Sequence, residues 1–360
     1  TLSPSSAASD VYKRQITSIS LSHGNEKLQN YFSYANTTGH GIIGKHNLSK
    51  HNLTFRETSV LLNSRLKLDG SMNLMRQVVK NKPTVGGFYM NPLVGLYRFP
   101  RGEDIAYYKE NFEVYDEGRN LNIQNWHTSY EDFEQNPYWI TNRILSKENR
   151  MHVIVSLSAN LKINDWLSLQ TRGNVDYIND KVRQQFYAST APALAGANGR
   201  YIEMDYQETQ YYGDAILMMK KQWDAFSLNA ALGASINDKT VNSTRYDSKT
   251  ASLKYANVFN LANIIMNGSA GLDQKIDARR QLQSLFATAQ LGYNEFVYLD
   301  LSARNDWSST LAYTSHEKSG FFYPSVGFSL IFNKLMTLPR WVSLAKIRGA
   351  YSMVGNDIPM

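Results

Sequence analysis

Polar and apolar residues alternate along most of the chain. From Met151 to Ile163 every odd position is apolar: Met151, Val153, Val155, Leu157, Ala159, Leu161 and Ile163. Of the even positions between them, only Ile154 is apolar. A helix does not sort residues by parity over such a length, but a strand with one greasy face does. The next stretch repeats the pattern, with Leu167, Leu169, Val175 and Tyr177 on one face and Trp166, Ser168, Gln170, Arg172, Asn174 and Asp176 on the other. The link Asn164-Asp165 makes the two a hairpin. The same alternation runs through Leu66–Leu74, Phe226–Asn237 and Val297–Arg304. In all, the pattern predicts about twelve strands.

Alternation also occurs in soluble sandwiches, and two further features separate the possibilities. Many of these strands reach about ten residues, the roughly nine to eleven that a bilayer requires, whereas soluble strands centre on about five or six. The connections also alternate in length. Short links fall near Gly24–Lys27, Ile163–Asp165, Gln222–Ala225 and Tyr293–Glu295; long ones cover Thr37–Lys50, Val78–Arg150, Asn179–Asp205, Asp238–Arg279 and Trp307–Gly320. Short turns on one rim and long loops on the other describe an outer-membrane barrel. The Arg, Lys, Asp and Asn of the polar face suit a wide lumen, wet or plugged.

Composition agrees. No run of eighteen apolar residues is present, so no helix is predicted to span a bilayer. A spanning structure would then have to be a closed barrel, which satisfies its own backbone. The 23 Tyr and 15 Phe can supply aromatic girdles. The chain has no cysteine, which removes disulfides and thiol chemistry. Its formal charge of +7 comes from scattered Lys and Arg with no basic stripe, which argues against a nucleic-acid partner. Residues 1–15, TLSPSSAASDVYKRQ, lack the apolar core of a signal peptide. They read as an adapter-derived or non-native segment, and the barrel reading covers 16–360.

Motifs that suggest chemistry are weak. Gly39-His40-Gly41-Ile42-Ile43-Gly44 fits a dinucleotide fingerprint, but the polar residues after it open no helix, so a flexible loop tip is the better reading. His40, His46 and His51 have no familiar ligand spacing and read as a solvated loop, leaving no predicted metal or cofactor. The acidic pairs Glu103-Asp104 and Glu131-Asp132 have no supporting catalytic motif, and no catalytic residue is predicted. Loop aromatics are more suggestive. Tyr130, Phe133, Tyr138 and Trp139 form one cluster, and Tyr201, Tyr206, Tyr211 and Tyr212 another. Such rings stack on sugars or hold peptide side chains, though girdles and loop self-packing use them equally.

Four blocks occur in order: Asn91-Pro92-Leu93 with Leu96–Gly102, Ala303-Arg304-Asn305-Asp306-Trp307-Ser308-Ser309-Thr310-Leu311, Phe321-Phe322-Tyr323-Pro324-Ser325-Val326-Gly327, and Lys346–Tyr351 followed by Val354-Gly355-Asn356-Asp357. Together they resemble the SusC/RagA-like TonB-linked outer-membrane proteins of Bacteroidota, a branch of the TonB-dependent receptors. The resemblance covers essentially residues 16–360. It implies an all-β fold, an antiparallel transmembrane β-barrel of 22 strands around an N-terminal plug. About half of that barrel is expected here, with no plug, TonB box or closing strands. It also implies active import of oligosaccharides or peptides, with a SusD-like surface lipoprotein, TonB in the periplasm and outer-membrane lipid as partners. Non-enzymatic nutrient uptake at the outer membrane is the expected function. A passive porin or structural surface barrel is the alternative, and a soluble carbohydrate-binding β-protein a third.

Parity places Arg304 on the inner face with Tyr298, Asp300 and Ser302, while Asp306-Trp307 would cap that strand near a rim. Lys346 and Arg348 are expected to face inward, since a cation on the lipid face at mid-membrane costs about 2–4 kcal/mol. Arg304, Asp306, Trp307, Tyr138 and Trp139 are the candidate lumen or loop contacts.

Overall fold

A computed structural model describes residues 13–84, 89–128, 134–249, 253–266, 271–315, 317, 320–339 and 341–355. Twelve strands form one antiparallel sheet in which each pairs with its neighbours in the chain. They are β1 (Lys13–Gly24), β2 (Leu28–His40), β3 (Asn47–Leu61), β4 (Leu66–Lys80), β7 (Ile144–Lys162), β8 (Leu167–Phe186), β9 (Arg200–Trp223), β10 (Phe226–Asp247), β11 (Gly271–Tyr293), β12 (Val297–Ser308), β13 (Phe321–Ile331) and β14 (Lys346–Ser352). Between β4 and β7 lie α1 (Pro92–Arg98), α2 (Ile105–Glu110), a small hairpin of β5 (Glu113–Asp116) with β6 (Leu121–Gln124), and α3 (Pro137–Arg143). A short α4 (Phe332–Leu335) separates β13 from β14. Among the described residues, no helix is long and apolar enough to cross a membrane. β1 takes in Lys13–Gln15, the end of the segment that the sequence sets apart.

Register carries one face across the whole sheet, because directly paired residues point the same way. One such row runs Leu21, Phe32, Phe55, Met72, Val155 and Val175 across six strands. Another runs Leu169, Leu217, Leu232, Ala287 and Ala303. This face leaves large apolar side chains uncovered, among them Leu157, Leu232 and Phe328. Lipid is the medium that suits it.

The apolar band has an upper edge. On β8 it ends at Tyr177, after which the same face carries Asn179, Lys181 and Arg183. On β10 it ends at Ile236, followed by Asp238, which binds Arg279 and Gln281 of β11. Above that edge both faces of a strand meet water. Polar residues on both faces therefore do not end the strand, and β9 runs for 24 residues.

This shortens the long connections that the sequence predicts. The gap expected over Thr37–Lys50 spans 41–46, and that over Asn179–Asp205 spans 187–199. Those over Asp238–Arg279 and Trp307–Gly320 span 248–270 and 309–320. All of them share one rim with the 81–143 connection. Tight turns occupy the opposite rim, where Asn25 and Asn164 each accept two backbone N–H bonds through the side-chain oxygen. The 332–345 connection, holding α4, also lies on the turn rim and is longer than its neighbours there.

Most of the deeply buried residues lie in the loops or at the strand ends beside them. Ile140, Ile144, Phe186, Ala195 and Ile202 form one cluster, and Tyr201, Leu253 and Ile264 another. Among the described residues, no second layer covers the middle of the sheet.

Candidate functional site

The face opposite the apolar one is a continuous polar wall. It holds open cavities of about 410 Å³, lined in part by Arg56, Asp69, Arg172 and Tyr212, and about 1010 Å³, lined in part by Gln29, Thr54 and Lys67.

Charges on this wall are matched across neighbouring strands. Arg150 of β7 meets Asp180 of β8 through two bonds of 2.7 and 2.6 Å. His152 reaches Asp176 at 2.7 Å. Arg172 of β8 binds Asp214 of β9 at 2.6 Å, and the Tyr212 hydroxyl donates to the same carboxylate at 2.6 Å. Lys239 pairs with Glu208, and Asp69 accepts from Thr58 and faces Lys67. Neutral groups join the lattice, as in Asn174 to Ser156 and Gln290 to Asp300. Alternation places every second side chain here, and register sets opposite charges beside each other. A wall of this kind presents hydrogen-bond donors and acceptors across its width, with most of its carboxylates paired to cations. Gly233 leaves room for Phe286: a Cβ there would come within 2.4 Å of the ring.

Above the wall, the loops form a layer of their own. Asn91 and Asn136 cap α1 and α3 by accepting the Leu93 and Tyr138 N–H groups, each with Pro next in the chain. The two helices approach so closely at Gly95 that a Cβ would lie 2.7 Å from the Gln135 carbonyl oxygen. Gln135 and Asn136 are fully buried and tie the layer together. The Gln135 side chain donates to the Tyr89 carbonyl and accepts from Ala191 N–H. The Asn136 amide donates to the carbonyls of Tyr108 and Asn125. Glu113 and Arg143 form a two-bond ion pair at 2.7 and 2.6 Å. At the top of β10, Asp247 is buried and accepts from Arg200 (2.8 and 2.9 Å), from Arg245 (2.7 Å) and from the Lys249 N–H. Burial pushes the Asp247 carboxyl upward, but the Arg200 and Lys249 hydrogen bonds and the two guanidinium charges outweigh it and hold the group below its ordinary value.

The shape of the sheet matches solved transporters. The chain aligns with the structure of the RagAB peptide transporter over 96% of its length at a TM-score of 0.71 and 18% identity. It aligns with the same importer in the open-open state over 94% at 0.65, with 16% identity. The P. aeruginosa receptor FpvA, solved bound to a heterologous ferric pyoverdine, aligns over 88% at 0.57, with 13% identity.

The fold is that of the barrel wall in these solved structures.

No family model and no curated protein matches the sequence, so the fold carries this likeness. The chain spans 37% of the length of the RagAB chain and 38% of that of FpvA. The twelve strands thus match part of the all-β barrel wall in those structures.

Within that wall the residues singled out from sequence separate into three places. Arg304 and Asp306 come together on the lumen side of β12. The Arg304 guanidinium binds Asp306 at 2.7 Å and Ser284 at 2.8 Å, and lies 5.7 Å over the Phe286 ring. Both line a cavity of about 330 Å³ with Arg280, Leu282, Phe321 and Tyr323. Trp307 has the opposite parity and shares the outer face with Leu299 and Leu301, one residue before β12 ends. Tyr138 and Trp139 belong to α3 in the loop layer. Tyr138 is half-buried, while Trp139 is buried and its indole donates to the Thr190 hydroxyl at 3.1 Å.

Other readings are redistributed by the fold. Tyr201, Tyr206, Tyr211 and Tyr212, read as a loop cluster, all lie on β9. Tyr206 and Tyr212 face the lumen, Tyr211 faces out at the band edge, and Tyr201 is buried under the 253–264 loop. His40 binds Asn47, and His51 binds Tyr34 and Asn36. Asp104 caps α2, and Glu103 accepts from Tyr108. Tyr130, Phe133, Glu131-Asp132 and Asn356-Asp357 lie outside the described residues. Gln135, Asn136, Arg200 and Asp247 were not singled out from sequence. The repeated Asn-Pro step at 91–92 and 136–137 was the one signal available for the cap.

Proposed function

We propose that the chain is part of a TonB-linked importer that moves a large nutrient across the outer membrane. The carrying observation is the alignment with the RagAB peptide transporter over 96% of the chain. That relative favours a peptide cargo, with an oligosaccharide as the other substrate class. A SusD-like surface lipoprotein would meet the long-loop rim, where the ordered layer of α1, α2 and α3 offers a preformed surface. TonB would act from the short-turn rim. In this reading residues 16–360 are barrel and 1–15 a non-native segment.

The matched charges of the wall support transport of hydrated cargo without catalysis. Arg304 and Asp306 are the proposed lumen contacts, with Trp307 as a membrane-interface anchor. Tyr138 supplies a loop contact, and Trp139 holds α3 in place beneath it.

Uptake of labelled peptides and oligosaccharides by cells with and without the intact gene tests this reading. Energised import predicts uptake that stops on deletion and also when the proton gradient is collapsed. Uptake that persists after collapse would identify a passive porin instead. Unchanged uptake of every cargo on deletion would reject both.

A further inference from the structure

Three cations stand in direct register on the outer face, just above the apolar band. Lys80 of β4 is paired with Lys147 of β7, and Lys147 with Arg183 of β8. Directly opposed side chains have Cβ atoms about 5 Å apart, and like charges there are destabilising. Arg183 has a partner in Glu203 at 3.1 Å. Among the described residues, Lys80 and Lys147 make no ion pair. Arg76 and Lys181 share this face, and Lys181 pairs with Asp205 at 3.2 Å. The patch thus sets five cations against two carboxylates.

Height identifies what could offset this charge. The outward apolar run of β7 ends at Met151, and Lys147 lies four positions further, about 13 Å along the strand. With a tilt of about 45° that is roughly 9 Å higher, just beyond a headgroup layer of about 5–8 Å and within reach of it for a lysine side chain. Arg76 is in register with Met151 itself. Long basic side chains on an outward face extend along the wall toward the interface.

We propose that Lys80, Lys147 and Arg183, flanked by Arg76 and Lys181, bind the phosphate group of an outer-leaflet lipid. The site would hold the barrel to its lipid annulus at the strands bearing the largest loop connection. It rests on the membrane placement of the barrel and not on the transport reading.

Native mass spectrometry of the full chain in detergent tests the site, with a phosphorylated glycolipid, the same lipid stripped of phosphate, and inorganic phosphate as probes. The phosphorylated lipid is expected to remain bound, and the stripped lipid to dissociate. The double variant Lys80→Gln/Lys147→Gln should bind roughly 30-fold more weakly, about a factor of five for each cation removed. Lys220→Gln, on the lumen face, should leave binding unchanged. Equal retention of the stripped lipid would overturn the proposal, as would unaltered affinity in the double variant. Displacement by inorganic phosphate at equal concentration would mark a soluble-anion site and reject the lipid. The stripped-lipid comparison uses the unmodified protein, so it decides the matter even if the double variant does not fold.

Discussion

Arg172 and Asp214 stand directly opposite each other on β8 and β9, and the two partners are unequally covered. The Asp214 side chain is wholly buried, while that of Arg172 is 46% exposed. Removing each should therefore cost differently. Arg172→Ala strands a buried carboxylate with the Tyr212 hydroxyl and should destabilise by about 3 kcal/mol. Asp214→Ala leaves a guanidinium that water can reach and should cost about 1–2 kcal/mol. Denaturant unfolding in micelles of both variants and the double variant would check the asymmetry. A double variant no worse than Arg172→Ala is the expected sign of coupling.

Leu157 and Ser156 are neighbours on opposite faces of β7. A lysine at 157 would meet hydrocarbon and should cost about 2–4 kcal/mol, whereas at 156 it enters the polar wall. The yield of membrane-inserted protein should fall sharply for Leu157→Lys and little for Ser156→Lys. Equal losses would mean that the two faces are wrongly assigned.

Asn136 satisfies a helix end and two carbonyls from a fully buried position. Asn136→Ala should open the loop layer, with a local cost of about 3 kcal/mol from the lost cap and the two unsatisfied acceptors. Hydrogen exchange of the α3 amides should quicken while that of β8 and β9 stays the same. Slow α3 exchange in the variant would contradict this role.

The depressed Asp247 carboxyl makes the loop layer acid-sensitive. A group whose folded value lies below its unfolded value stabilises the fold above the unfolded one, 3.8 here. That contribution disappears as pH falls through the folded value. Protease sensitivity of the 253–266 loop should therefore rise below about pH 4. Asp247→Asn should be sensitive at neutral pH and lose most of the pH response. An acid transition identical in both proteins would assign it to other carboxylates.

The sequence made the strands, their faces and the polar face on which Arg304 stands legible because each follows from parity, a local property. β12, β13 and β14 coincide with three of the ordered blocks, from Ala303 to Tyr351. Strand ends were less legible. Above the apolar band the pattern becomes polar on both faces, so β9 and β10 extend well into stretches that read as loops. The loop core was hidden for a different reason. Gln135 and Asn136 look like ordinary polar loop residues until Tyr89, Tyr108, Asn125 and Ala191 converge on them.

The sequence by itself determined an all-β wall with one apolar and one polar face, since a two-residue period fixes the side on which each residue stands. Tertiary structure decided which charges meet. Register aligned Arg172 with Asp214 and Arg150 with Asp180, and it also aligned Lys80 with Lys147 and Arg183. Period assigns a residue to a face, but its neighbour on that face depends on how strands slide past one another, which turns and loops far along the chain control.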